Sequence, residues 1–168
     1  MLRFLFLILA LLSAPALAQL PPPRANAIAP ELVAETRAVP GQPVDIAIVM
    51  HTRAGWHGYW QNPGDAGLAM RAEWSLPEGA SLGPLRYPVP SRLLIAGLMN
   101  YVYERDHAIL VRLDVPRDAR GTLPISAKLN WLACTDQVCV PEQGEVSLDL
   151  PVGGAAQPDP RFNEWRRA

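Results

Sequence analysis

The sequence has little cysteine and no excess of positive charge. Its 168 residues include two cysteines, and 15 basic residues stand against 16 acidic ones, for a formal net charge of −1. This balance gives no electrostatic reason to expect a nucleic acid or an anionic membrane as a partner. Beyond the first residues, no apolar run approaches the length of a membrane-spanning helix. We therefore expect neither nucleic-acid binding nor stable insertion of the mature chain into a membrane.

The beginning of the chain has the pattern of an export signal. Residues 1–3 are a short positive start, residues 4–12 are an uninterrupted apolar run, and Ala-Leu-Ala at 16–18 is a small-x-small cleavage pattern. The apolar run is too short to span a bilayer comfortably, which argues against a membrane anchor. We predict a signal peptide at 1–18 and an exported, soluble protein, which means the periplasm in a Gram-negative host. Disulfides persist in that compartment.

The remaining chain, about 150 residues, suits one domain with a hydrophobic core. Residues 19–30 are rich in proline and predict a flexible lead-in. The domain is expected at residues 31–152, and residues 153–168 are expected to form a C-terminal tail. Within the tail, residues 160–167 are compatible with a short helix that carries Phe162 on one side.

The distribution of proline and glycine favours strands over helices. Eighteen prolines and twelve glycines are scattered along the chain, which leaves room for short strands and turns but little for long helices. Five segments alternate apolar and polar residues, as strands with one apolar and one polar face do. The pattern predicts an all-β fold, an antiparallel immunoglobulin-like β-sandwich. The apolar positions are Val44, Ile46, Ile48 and Met50; Ala72, Trp74 and Leu76; Ile109, Val111, Leu113 and Val115; Leu123, Ile125, Ala127, Leu129 and Trp131; and Val146, Leu148 and Leu150.

The two cysteines, Cys134 and Cys139, follow directly after the fourth of these segments. A disulfide between them closes a small ring, and the closing of a short loop stabilises a fold least. A domain of this size does not depend on such a bridge for its fold. The pair is therefore a candidate for reversible thiol–disulfide exchange, in which a thiolate attacks a disulfide sulfur.

Two segments resemble a known family. The first is Gly-Trp-His-Gly-Tyr-Trp-Gln-Asn-Pro-Gly-Asp-Ala-Gly at 55–67, followed by Trp-Ser-Leu-Pro-Glu-Gly at 74–79. The second is Trp-Leu-Ala-Cys at 131–134 with Cys-Val-Pro-Glu at 139–142. In this order they resemble the N-terminal periplasmic domain of the thiol–disulfide interchange protein DsbD, in the variant that also occurs in the copper-sensitivity suppressor protein ScsB.

The resemblance implies an immunoglobulin-like domain that relays electrons without a cofactor. Thioredoxin-like proteins and a DsbD- or CcdA-like membrane donor would supply reducing equivalents, and oxidised periplasmic thiol proteins would receive them. It also implies that Cys139 is the exchanging thiol, that Cys134 is the resolving thiol, and that Asp136 matches an acidic position of the family's loop. Such a domain is a redox carrier of the protein-disulfide reductase type. The family shields its pair with a mobile cap loop, for which residues 87–99 are the candidate segment.

Three further side chains are candidates for the site, and each has two interpretations. Asp136 would raise the pKa of a neighbouring thiol by like-charge repulsion, or it would cap the turn through an Asx hydrogen bond. His57 would assist as an acid or base, or it is a half-buried histidine without a catalytic role. Tyr59 would help to shield the sulfurs, or it is a core or rim aromatic.

Two other functions stay open at the level of sequence. The cysteines, a histidine and one of the methionines Met50, Met70 and Met99 would suit a copper(I) site and a role in copper tolerance, although the chain has no methionine-rich motif and no zinc-type spacing. Alternatively, the disulfide is an inert staple of an immunoglobulin-like interaction domain.

The Asn-Pro-Gly-Asp-Ala-Gly segment at 62–67 lacks a phosphate-loop pattern and has too few carboxylates for calcium, and it predicts a structural turn.

Overall fold

The computed structural model describes residues 25–168. The predicted signal peptide and the first part of the predicted lead-in lie outside the described residues. No helix in this range has the length and apolar character that crossing a bilayer requires. The elements of the described range are β1 (Ile28–Ala34), β2 (Pro43–Thr52), β3 (Gly58–Gly64), β4 (Arg71–Ser75), β5 (Ser81–Leu82), β6 (Ser91–Ile95), β7 (Leu98–Tyr103), β8 (His107–Asp114), β9 (Thr122–Cys134), β10 (Cys139–Pro151) and the helix α1 (Arg161–Trp165).

The strands pair antiparallel in three sheets. Four strands form the first sheet in the order β1-β2-β8-β5, and three form the second in the order β10-β9-β4. The third sheet has the order β3-β7-β6 and adjoins β9 through a bridge between His57 and Cys134. The apolar faces of the first two sheets pack together, so the predicted all-β, antiparallel, immunoglobulin-like sandwich is confirmed.

The alternating segments found in the sequence are strands, and their apolar positions form the main core. Because side chains of a strand alternate between its two faces, one register places the whole apolar set of each strand inside. Burial of each large aliphatic side chain contributes roughly 1.5–3 kcal/mol, which makes this register strongly preferred. The buried members include Val44, Ile46, Ile48 and Met50 of β2; Ile109, Val111 and Leu113 of β8; Leu123, Ile125, Ala127, Leu129 and Trp131 of β9; and Val146 and Leu150 of β10.

The outer face of β2 and β8 differs from the prediction of one polar face per strand. Ala47, Val49, Ala108 and Leu110 lie on that face and are buried as well. The cause is α1 in the C-terminal tail, whose Phe162 is 0 % exposed and packs against these four residues. The tail therefore covers the first sheet, a point that the sequence left undecided.

Candidate redox site

The two cysteines are joined across the end of the β9–β10 hairpin. Cys134 is the last residue of β9, Cys139 is the first of β10, and the two are direct partners in the strand register. They form a disulfide with a Cα–Cα distance of 4.1 Å. Cys134 is 1 % exposed, whereas Cys139 is exposed to solvent. Cys139 is therefore the more accessible residue of the pair.

The turn between the cysteines is organised by Thr135. Its hydroxyl accepts hydrogen bonds from the backbone N–H groups of Gln137 and Val138, each at 3.2 Å. Its own N–H donates to the carbonyl of Val138 at 2.8 Å. The turn is thus closed by the Thr135 hydroxyl and not by an Asx bond from Asp136, whose side chain is exposed at the tip of the loop.

A second chain segment flanks Cys134 on its other side. The N–H of His57 donates to the carbonyl of Cys134 at 2.8 Å, and the N–H of Cys134 donates to the carbonyl of His57 at 3.0 Å. Residues that oppose each other directly in an antiparallel pair project to the same face, with Cβ atoms about 4.5–5.5 Å apart. Since Cys139 opposes Cys134 in the same way, the side chains of His57, Cys134 and Cys139 form one row, which we call the cysteine row.

Tyr59 contacts the inner sulfur. Its hydroxyl donates a hydrogen bond to the Sγ atom of Cys134 at 3.2 Å. With Cys134 and Val102 it forms a small buried cluster, against which Leu93 and Leu132 pack. Burial raises the pKa of the Tyr59 hydroxyl above its ordinary value of 10.0, which keeps the group protonated and able to donate. Tyr59 thus contacts the inner sulfur and packs as a core aromatic.

His57 is buried rather than half-buried. The residue is 3 % exposed, and its Nε2 atom has no hydrogen-bond partner within residues 25–168. The imidazole meets the ring of Tyr59 edge to face, with the ring centroids 5.4 Å apart. Burial lowers the pKa of His57 below 6.5, and the carboxylates of Asp136 and Glu104 oppose that shift. The imidazole is therefore neutral at neutral pH.

The segment at 62–67, predicted to be a structural turn, contains the end of β3 at Gly64 and then turns at residues 65–66, and it supports the site. Gly67 has a φ of +93°, and a Cβ atom there would lie 2.2 Å from the Cε1 atom of Tyr59. Glycine is required because any side chain would displace the tyrosine ring. Asp65 makes two bonds to Met99: its N–H donates to the Met99 carbonyl, and its Oδ2 accepts from the Met99 N–H, both at 2.8 Å. The turn thereby attaches the start of β7 to the strand that carries Tyr59.

The hairpin of β6 and β7 lies beside the disulfide. Ile95, Ala96 and Leu98 at its tip line an open cleft of about 200 Å³ together with Val138 and Cys139. Leu98 is 47 % exposed, Val138 is 49 % exposed, and Leu94 of β6 is 63 % exposed. This β6–β7 hairpin overlaps the segment 87–99 that the sequence offered as a cap, and its tip carries aliphatic side chains next to Cys139.

Glu142 is a buried residue of the site to which no role was assigned from the sequence. Its buried carboxylate accepts hydrogen bonds from the backbone N–H groups of Ala27 at 2.6 Å and Ile28 at 3.1 Å, and from Trp131 Nε1 at 3.0 Å. Glu142 and Trp131 are direct partners in the β9–β10 register. Trp131, which begins the Trp-Leu-Ala-Cys segment, is therefore bonded to Glu142, which ends the Cys-Val-Pro-Glu segment. Through Glu142, both segments are attached to the start of β1.

Two of the three methionines considered for a copper site lie in the main core. Met50 and Met70 are buried in the main core between the sheets. Within the described part of the chain, no group of three or more histidine, cysteine, aspartate or glutamate side chains is arranged to hold a metal ion. The copper alternative gains no support from this geometry.

Comparison with known proteins decides the family. The family model described as "Thiol:disulfide interchange protein DsbD, N-terminal" matches residues 25–151. The chain belongs to this DsbD N-terminal family. The match includes every strand of the sandwich, the cysteine row and the segment at 62–67. No curated protein matches the chain significantly.

Solved structures of the family resemble the chain. The N-terminal periplasmic domain of ScsB from Proteus mirabilis is 23 % identical, with a TM-score of 0.55 over 80 % of this chain and 49 % of that chain. The chain thus spans about half the length of the ScsB domain, and this likeness shows the fold. The reduced DsbD N-terminal domain from Neisseria meningitidis is 14 % identical, with a TM-score of 0.46 over 79 % of this chain and 91 % of that chain. A complex between the DsbD and PilB N-terminal domains from Neisseria meningitidis also matches, at 18 % identity and a TM-score of 0.40 over 84 % and 94 % of the two chains.

Proposed function

We propose that this domain is a periplasmic thiol–disulfide exchange module that carries reducing equivalents through Cys134 and Cys139. The observation that carries the proposal is the unequal exposure of the two sulfur-bearing residues in a DsbD N-terminal domain: Cys134 is 1 % exposed and Cys139 is exposed. An exchanging thiol must be accessible, while a resolving thiol needs to reach only its partner in the pair. We therefore assign exchange to Cys139 and resolution to Cys134.

The cycle has two halves, and each transfers two electrons. In the first, a donor thiolate attacks Cys139 Sγ, the Cys134–Cys139 bond breaks, and a second donor thiol releases the reduced dithiol. In the second, the Cys139 thiolate attacks a disulfide of an oxidised protein and forms a mixed disulfide. Cys134 then attacks Cys139 Sγ, the acceptor leaves with both electrons, and the internal disulfide re-forms.

Two polar groups adjust the chemistry of the pair. The hydroxyl of Tyr59, at 3.2 Å from Cys134 Sγ, would stabilise the thiolate that departs when the disulfide opens. Asp136, exposed at the tip of the loop, would disfavour a thiolate on the reduced pair through like-charge repulsion. Together they suit a carrier that reacts when a partner is docked and resists random oxidation.

The surroundings of Cys139 suit a protein partner. Leu98 and Val138 are exposed apolar side chains that line the cleft beside it, and clustered exposed apolar side chains mark interaction sites. We propose that the β6–β7 hairpin is the cap and that it moves aside when a partner docks. The partners are thioredoxin-like proteins and a DsbD- or CcdA-like membrane donor on the supply side, with oxidised periplasmic thiol proteins as acceptors. The signal-peptide pattern at 1–18 supports the periplasmic location.

Mixed-disulfide trapping tests this function and the assignment of the two thiols. The variant Cys134→Ser keeps the exchanging thiol and lacks the resolving one, so it should accumulate a disulfide-linked adduct with an oxidised thioredoxin-like protein, visible on a non-reducing gel. The matched variant Cys139→Ser should form none. Adducts with Cys139→Ser alone would reverse the assignment. If neither variant forms adducts, the disulfide is an inert staple of an interaction domain.

A further inference from the structure

We infer that His57 is the proton acceptor for Cys134 in the resolving step. This inference rests on the proposed function, and it assigns a proton-transfer role to the residue next to the buried cysteine. The step needs such a group because Cys134 is 1 % exposed, so solvent has little access to its thiol. A thiol attacks a disulfide only as the thiolate, and its proton must therefore pass to an acceptor within the protein.

The backbone places His57 where an acceptor is needed. The two hydrogen bonds between His57 and Cys134, at 2.8 and 3.0 Å, make them directly opposed residues of an antiparallel pair. Their side chains therefore project to the same face, with His57 on one side of Cys134 and Cys139 on the other. Few buried polar atoms in proteins are left unpaired, and those that are call for an explanation. Nε2 of His57 is such an atom: it is buried and has no partner among the residues that the structure describes.

The other polar groups near Cys134 do not suit the role. Tyr59 already donates to Cys134 Sγ, and its raised pKa keeps the hydroxyl protonated, so it is a donor. A carboxylate such as that of Asp136 is a much weaker base than a thiolate, and this one lies exposed at the loop tip. A neutral imidazole accepts a proton readily near neutral pH. His57 is kept neutral by burial, which outweighs the carboxylates of Asp136 and Glu104.

The step balances as follows. In the mixed disulfide, the Cys134 thiol transfers its proton to the imidazole of His57 as its sulfur attacks Cys139 Sγ. The Cys134–Cys139 bond forms, the bond from Cys139 to the acceptor's sulfur breaks, and the acceptor departs as a thiolate with the electron pair of that bond. The imidazolium then releases its proton to the departing thiolate or to water. In the opposite half of the cycle, His57 takes up a proton from water and passes it to Cys134 as the disulfide opens.

The two thiols can be followed separately with an aromatic disulfide, 5,5′-dithiobis(2-nitrobenzoate). The reduced domain releases one coloured thiolate when Cys139 attacks and a second when Cys134 resolves the mixed disulfide. We expect His57→Asn and His57→Gln to slow the second release by about tenfold or more and to leave the first nearly unchanged. In the parent domain the second rate should vary little between about pH 6 and pH 8, whereas in the variants it should rise steeply with pH. His51→Gln is the control, because His51 is exposed and bonded to Asp106.

Each outcome bears on the inference. An unchanged second phase in folded His57 variants would overturn the role of His57, while trapping through Cys134→Ser would still support the exchange function. An absent first phase in the parent domain would instead count against the exchange function itself. Should the His57 variants fail to fold, nitrogen NMR of the parent imidazole decides: the inference requires the titration of His57 to shift between the oxidised and reduced forms. Identical titrations in the two forms would contradict it.

Discussion

The hydroxyl of Tyr59 donates a hydrogen bond to the sulfur of Cys134 across 3.2 Å, so the inner half of the disulfide is held by a polar contact inside an apolar cluster. A thiolate accepts such a bond more strongly than a disulfide sulfur does. Tyr59→Phe should therefore slow reduction of the domain by dithiothreitol by about three- to tenfold, which corresponds to about 1 kcal/mol of lost stabilisation. Tyr101→Phe is the control, since Tyr101 packs against Trp60. Equal rates in the two variants would show that the contact has no kinetic role.

Gly67 fixes the ring that makes this contact. Gly67→Ala should destabilise the domain by about 1–3 kcal/mol in urea unfolding, because it combines a positive φ with a collision against Tyr59. Gly55→Ala is a matched control, as Gly55 also has a positive φ, +80°, but no atom lies within 4 Å of its added Cβ. The difference between the two variants measures the collision alone. Equal losses would mean that the tyrosine ring moves aside at no cost.

Asp65, which follows directly after β3, connects that strand to the β6–β7 hairpin through the N–H of Met99. Asp65→Ala removes that bond, so the hairpin should move away from Cys139 more often. We expect a small reductant to reduce the disulfide about two- to fivefold faster, with a loss of stability of about 1 kcal/mol. Asp114→Ala, which removes an exposed pair with Arg112, provides the comparison. A slower or unchanged reduction would argue that the hairpin does not cover the disulfide.

The stability of the domain should depend on His107 in acid. His107 stacks on Tyr103, and burial lowers its pKa from 6.5 to about 4. Between those two values the unfolded chain binds a proton that the folded domain does not bind, so stability falls as the pH is lowered from 6.5 towards about 4. His107→Gln should flatten this decline in urea unfolding at a series of pH values. A decline as steep in the variant as in the parent would place its origin elsewhere.

His51 should act in the opposite direction. The carboxylates of Asp106 and Glu31 raise its pKa above 6.5, so its contribution is full below that value and is lost as the pH rises through the raised pKa of the folded state. Because His51 and both carboxylates are exposed, solvent screens the interaction and the effect is small. His51→Gln therefore also serves as the comparison for His107→Gln, with its change confined to the alkaline side.

The main sandwich was predictable because five of its strands carry apolar residues at every second position of the sequence. Apolar side chains recur at every second position in β2, as at Ile46 and Ile48, and in β9 from Leu123 to Trp131. Five strands had no alternating segment in the prediction, namely β1, β3, β5, β6 and β7. Gly58–Gly64 contains a register shift against β7, and the sequence of Ser91–Ile95 does not alternate apolar and polar residues. The second cluster under Phe162 was also missed, because it depends on a helix residue that is more than fifty positions away in sequence from each of the four strand residues that it covers.

The site was predictable where the chemistry is local in sequence. Cys134 and Cys139 stand close together in the chain, and family resemblance drew attention to His57 and Tyr59. The bonds that define their surroundings join distant residues: the N–H groups of Ala27 and Ile28 reach Glu142, and Met99 reaches Asp65. No period or motif encodes such pairings, since they depend on how the sheets meet. The assignment of roles to the site residues stays a prediction until the thiols are tested separately.

The most direct test of the exchange function is the reduction potential of the Cys134–Cys139 pair, measured by equilibrating the mature domain with dithiothreitol or glutathione buffers and counting free thiols. An exchange module predicts a value in the range of catalytic dithiols, roughly −180 to −270 mV. A value well below about −300 mV would identify a structural bridge and contradict the account.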